Sequence, residues 1–247
     1  MKRKYAWKPD IPDHRDRLFE EVKLRRPKKV DRLGLGNQIE DQGDLGSCTG
    51  NAVTSAIEIV TKVPHSLSRL MCYYGGRRIE NTLNEDSGCQ IRDVIKSVQD
   101  VGVCKEELYP YDIKSFTKHP SLAAKRDALN VIPLIKSYTR VTSLNQVKNA
   151  LARGLPVIFG FVVPVWFPSP EVRTTGWVPM PKEEDKVLGG HAVTAVGYDD
   201  TVDEPFIWVR NSWGPKWGID GYFKMDQEWF MDLRGLVDDM WVIEAKA

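Results

Sequence analysis

The chain has 247 residues, 42% of them hydrophobic, enough for one large domain or for two lobes around a shared interface. Its 35 basic and 34 acidic residues leave a net charge of +1, which excludes a general electrostatic pull toward nucleic acid or a membrane surface. No apolar run reaches the roughly 18 residues of a transmembrane helix, and the 4 cysteines, with no Cys-x-x-Cys pair, exclude a disulfide-stapled miniature fold and a zinc knuckle.

The basic start Met1-Lys-Arg-Lys-Tyr-Ala-Trp-Lys is followed by Pro-Asp-Ile-Pro-Asp rather than an apolar stretch, so no export signal is read and a reducing, cytoplasmic setting is expected. Residues 1–35 are rich in charge and proline and carry neither helical nor strand period. They are expected to form an extended strap or short pro-segment that needs a partner surface for order. Beyond it, Ala52, Val53, Ala56, Ile57 and Val60 recur at helical spacing behind Ser47, which places Cys48 on the first turn of a helix. Leu67, Leu70, Met71 and Tyr74 predict a second helix behind Ser66 or Ser68, and Ile91, Val94, Ile95, Val98 and Val101 a third, closed by Gly102.

Ser143 caps a last predicted helix running through Leu144, Val147 and Leu151 to Gly154. Strand signals then take over at 157–163, 191–198, 206–209, 221–225 and 240–244, short β-branched or aromatic segments bounded by Gly, Asp and Pro. Lys182–Lys186 is read as a solvated loop. Helices first and strands afterwards make an α+β layout.

A cysteine at a helix N-terminus gains thiolate stability from free backbone N–H groups and the macrodipole, so Cys48 is the candidate nucleophile. Gln42, six residues upstream across a glycine-containing turn, can fold its amide back beside the sulfur and, with the Cys48 N–H, hold an oxyanion. His191 follows Gly189-Gly190 and opens a strand, a place for a general acid and base. Asn211 ends an apolar strand, and its amide oxygen can accept from the far ring nitrogen of His191, with Trp213 and Trp217 shielding the bond from water. His14, His65 and His119 are assigned structural roles.

Taken together, Gln42, Gly46-Ser-Cys48, Gly190-His-Ala192 and Asn211-Ser-Trp-Gly-Pro-Lys-Trp-Gly-Ile-Asp-Gly-Tyr222 resemble the papain-like cysteine peptidases. The resemblance spans roughly residues 36–245 and implies a two-lobed fold: a helical left lobe over about 36–135, an antiparallel β-barrel-like right lobe over about 136–247, and the active-site cleft between them. It also implies peptide-bond hydrolysis through a Cys48 thiolate and a His191 imidazolium, with no metal or organic cofactor. Peptide or protein substrates are expected, with contacts from Gly88, Cys89, Ile91, Gly190, Ala192 and Trp213. Asp238 or Asp239 would sit at the floor of a side-chain pocket and admit a basic residue there.

Two departures stand out: Thr49-Gly-Asn-Ala52 replaces the family's usual Trp-Ala-Phe, and Leu45 stands where secreted members carry a disulfide cysteine. They bring the chain nearer to bacterial, archaeal or viral members than to lysosomal ones. The strap from Tyr5 to about Glu21 is expected near the cleft or across the right lobe, as a self-inhibitory segment. The rival expectation is a catalytically silent papain-like module that binds peptides or proteins. An acyl-transfer enzyme with the same Cys and His chemistry is a third, disfavoured by the tryptophan-rich asparagine segment.

Overall fold

The computed structural model describes residues 3–23 and 25–246. Met1, Lys2, Leu24 and Ala247, which fall in the expected strap and at the end of the right lobe, lie outside the described residues. After a two-residue strand β1 (Lys29–Val30), three helices build one lobe: α1 (Cys48–Thr61), α2 (Arg69–Ile79) and α3 (Ile91–Val101). The residues picked out by helical spacing are the ones buried here, with Val53, Ala56 and Ile57 of α1 meeting Leu70 of α2 and Ile91 and Val94 of α3 in a single cluster. Ser68 rather than Ser66 caps α2, its hydroxyl accepting from Met71 N at 3.1 Å. Ser47 occupies the cap position of α1 but makes no capping bond; its hydroxyl meets Tyr111 Oη and accepts from Asn51 Nδ2.

The unusual Thr49-Gly-Asn run has a packing reason. A side chain on Gly50 would lie 2.7 Å from the Arg69 carbonyl, so the glycine lets α2 cross close to α1. Asn51 is buried with its polar atoms satisfied, donating to Ser47 O at 2.9 Å and accepting from Arg69 Nη1 at 3.2 Å, as a buried amide must be.

Downstream come α4 (Leu122–Ala128), β2 (Ile135–Val141), α5 (Leu144–Ala152), β3 (Val157–Pro164), α6 (Pro170–Thr175), β4 (Trp177–Val178), β5 (Val187–Asp199), β6 (Phe206–Arg210), β7 (Tyr222–Asp226) and β8 (Val237–Ala245). The strand path is open and runs β2-β8-β3-β5-β6-β7-β4, with β1 added to β5. Pairing is antiparallel throughout except for β4 on β7. Ser143 caps α5 as expected, accepting from Gln146 N at 3.2 Å, but α5 is not the last helix, since Ser169 and Pro170 start the one-and-a-half-turn α6. A second cluster, around Phe159, Phe161, Val193, Val209 and Phe223, forms the sheet core. Helix α1 lies between the two cores, because Ile158, Ala192 and Trp241 of the sheet belong to the helical cluster, and Thr194 Oγ1 donates to Ala52 O at 3.0 Å.

Candidate active site

Cys48 is the first residue of α1 and fully buried. Burial pushes its thiol pKa up, while the backbone amides of Ala192, Ala6, Thr49 and Cys48 itself oppose the rise. Ala192 places β5 against the sulfur; Ala6 belongs to the strap. Gln42 is buried as well, with Nε2 donating to Leu45 O at 3.0 Å and Oε1 accepting from Ser212 Oγ at 2.7 Å. The Gln42 N–H also bonds Ser212 O at 2.9 Å, so the turn carrying Gln42 is laced to the segment carrying Asn211.

His191 lies where β5 pairs with β3, opposite Phe161, and Thr194 three residues on pairs with Arg210 of β6. That register brings Asn211, one residue past β6, alongside the ring: His191 Nε2 and Asn211 Oδ1 are 2.8 Å apart. Among the described residues Nδ1 is buried with no partner, and it makes no hydrogen bond to Cys48. Trp213 stacks on the imidazole at 5.0 Å between centroids and 27° between planes. Dehydration lowers the His191 pKa to about 4 despite the Asn211 bond, and the Arg3 guanidinium pushes in the same direction. In this closed state both partners are therefore held neutral, as thiol and imidazole.

The strap lies across this site. Trp7 N donates to Gly190 O at 3.0 Å and Lys8 N to Cys89 O at 3.2 Å, so residues 6–8 lie between the two lobes and bond the backbones of both walls. The glycine at 88, with φ +71°, is required here, since a Cβ would fall 1.7 Å from Ala6 O. The Trp7 indole fills a slot beside β3 and β5: a Cβ on Gly160 would come within 2.0 Å of it, and one on Gly190 within 2.5 Å. Arg3 pairs with Asp41 at 2.5 Å and lies over Trp213 at 5.4 Å. Farther along, Arg140 N donates to Arg17 O and Phe19 N to Arg140 O, both at 2.8 Å, so the strap continues across the edge of the sheet lobe.

Of the expected substrate contacts, Gly88, Cys89 and Gly190 border the strap, Ile91 and Ala192 are buried in the same cluster as Trp7, and Trp213 lies between His191 and the strap's Tyr5. Asp239 is not an open pocket floor. It is 2% exposed, accepts from Asp10 N at 2.7 Å and pairs with Arg140 of its own lobe at 3.1 Å. The expectation of a basic substrate side chain at that carboxylate is corrected by Arg140, a partner too distant in sequence to be seen. Ser212, Gly160 and the strap residues Ala6 and Trp7 were not among the expected contacts; only Ser212 had a visible signal, its place inside the Asn-Ser-Trp segment.

Residues 26–233 match the family model described as papain family cysteine protease. The chain belongs to the papain family. A peptidase C1-like protein of Acanthamoeba polyphaga mimivirus is 42% identical over 217 residues, covering 83% of this chain and 68% of the relative. Among solved structures, xylellain, a cysteine protease from Xylella fastidiosa, superposes with a TM-score of 0.89 at 37% identity and covers 100% of this chain and 99% of that one. The bromelain protease of Ananas comosus shares the fold, with a TM-score of 0.66 at 22% identity over 89% of this chain and 100% of its own. The two-lobed α+β fold and the cysteine peptidase assignment are thus both secured.

Proposed function

We propose that this papain-family peptidase works through Cys48, His191, Asn211 and Gln42, and that residues 3–19 of its own strap hold it latent. The observation that carries the reading is the His191–Asn211 bond at Nε2, which leaves Nδ1 for the sulfur. With the strap displaced, water returns and Arg3 leaves, so the proton can pass from Cys48 to Nδ1. The thiolate attacks the scissile carbonyl carbon while Gln42 Nε2 and the Cys48 N–H hold the oxygen as it becomes negative. The imidazolium gives its proton to the leaving nitrogen, the C–N bond breaks, and a thioester remains. A water molecule, deprotonated by His191, attacks the thioester and expels the thiolate.

Latency has two supports. The strap fills the cleft, bonding the backbones of both walls through Trp7 and Lys8, and its Arg3 opposes protonation of His191. A silent peptide-binding module is not favoured, because all four polar groups of the reaction are in place. Hydrolysis of a fluorogenic peptide by the native chain, by Trp7→Ala and by Cys48→Ser tests the reading. Low turnover, raised turnover and none, in that order, is expected; turnover by Cys48→Ser would overturn it.

A further inference from the structure

Two carboxylates flank the Gly88-Cys89 backbone that the strap bonds, and each is held by the protein before any cation arrives. Glu80, at the end of α2, accepts from Gln90 N at 2.7 Å through Oε1. Its side chain is 9% exposed, and Oε2 meets Lys8 Nζ at 2.9 Å. Asp86 accepts from Gly46 N at 3.0 Å and from Tyr73 Oη at 2.5 Å, while Tyr73 Oη accepts from Gly88 N at 3.1 Å. Asp86 is 13% exposed and meets Lys4 Nζ at 2.5 Å. Among the described residues neither carboxylate has another cation within ion-pair distance, so departure of the strap removes the cation from each and leaves two carboxylates at fixed positions along the wall, open to a cation of an incoming segment.

From this we infer that Glu80 and Asp86 are specificity-determining residues that select peptide segments carrying lysine or arginine at two positions, as the strap carries Lys4 and Lys8. The inference rests on the peptidase reading for its setting but not for its test. It differs from cation recognition at Asp239, where Arg140 keeps the carboxylate satisfied whether or not the strap is docked. The strap serves as the template for the ligand: cations where the walls are acidic, and an aromatic ring where Gly160 and Gly190 leave room.

The test is binding, read apart from hydrolysis. Fluorophore-labelled octapeptides of alanine with one phenylalanine, carrying lysine, norleucine or glutamate at each remaining position in turn, are titrated by anisotropy onto the chain with Trp7→Ala and Cys48→Ala. The loosened strap competes equally with every probe. Two positions are expected where lysine binds at least about tenfold tighter than norleucine, a preference that shrinks with added salt. Glu80→Gln should abolish the preference at one position and Asp86→Asn at the other, since each amide keeps the oxygen that accepts from Gln90 N or Gly46 N. If Asp86→Asn fails to fold, Glu80→Gln decides alone. No position with a lysine preference, a preference unchanged by Glu80→Gln, or no saturable binding overturns the inference. Turnover by Trp7→Ala with Cys48 intact is measured alongside: turnover without lysine preference sinks this inference alone, and lysine preference without turnover sinks the peptidase reading alone.

Discussion

Asp10 of the strap donates its backbone N–H to the Asp239 carboxylate at 2.7 Å, and both carboxylates share the guanidinium of Arg140, at 2.9 Å and 3.1 Å. Asp16, Arg92 and the Trp241 indole N–H complete the cluster, with Asp238 adjoining Asp239. Burial, and then the neighbouring Asp10, push the Asp239 pKa up to about 7, and burial raises that of Asp10.

Docking of the strap therefore takes up a proton, because undocking removes Asp10 and returns Asp239 toward the ordinary carboxylate range. At Asp239 the docked state binds more protons than the released one, which favours docking in acid and weakens it as pH rises toward about 7; at His191, held at about 4 in the docked state, it binds fewer, so the Asp239 effect is read in a His191→Gln background. In the His191→Gln chain, hydrogen exchange at the Trp7 and Lys8 amides, corrected for intrinsic rates, should show more frequent opening at neutral than at acidic pH. More frequent opening in acid would contradict this account of the latch.

Trp7→Ala should activate. Emptying a slot that an indole fills costs about 3–5 kcal/mol, and each 1.4 kcal/mol is about tenfold in an equilibrium. The released fraction, and turnover with it, should rise at least about tenfold. Unchanged turnover, with unchanged thermal stability, would remove the strap from any regulatory role.

Ser212→Ala should lower kcat while leaving KM nearly unchanged. The Ser212 hydroxyl fixes the Gln42 amide through Oε1 at 2.7 Å, and one such bond is worth about 1 kcal/mol, or about fivefold in rate. Gln42→Ala, which removes the oxyanion donor itself, should cost about 10²–10³ in kcat. Equal losses in the two variants would contradict the division between orienting and donating groups.

Asn211→Ala should reduce kcat/KM by about five- to 150-fold, the equivalent of about 1–3 kcal/mol for leaving a buried donor unpaired. The imidazole would lose its Nε2 partner and its fixed orientation beneath Trp213. Asn211→Asp should retain the ring orientation and recover part of the loss, which steady-state kinetics on one fluorogenic peptide would show.

Helices α1, α2, α3 and α5 and strands β3, β5, β6, β7 and β8 were legible because their apolar residues repeat at helical spacing or form short β-branched and aromatic runs. Strands β1 and β4 were not, being two residues each, nor was β2, which buries only its end residues Ile135 and Val141, nor α4, whose seven residues bury only Ala124 and Ala128. Cys48, His191, Asn211 and Gln42 were readable as candidates from residue type and local setting. What joins them was not: the bond from Ser212 to Gln42 spans 170 positions and that from Asp10 to Asp239 spans 229, distances over which periodicity carries no signal. The strap was the hardest part, since its order comes entirely from the two walls it touches.

Covalent labelling by an epoxide inhibitor, mapped by mass spectrometry in the native and Trp7→Ala chains, tests the central claim most directly. One adduct per chain, on Cys48, formed faster in Trp7→Ala, is the predicted result. No adduct in folded Trp7→Ala protein, or an adduct confined to Cys72, Cys89 or Cys104, would contradict it.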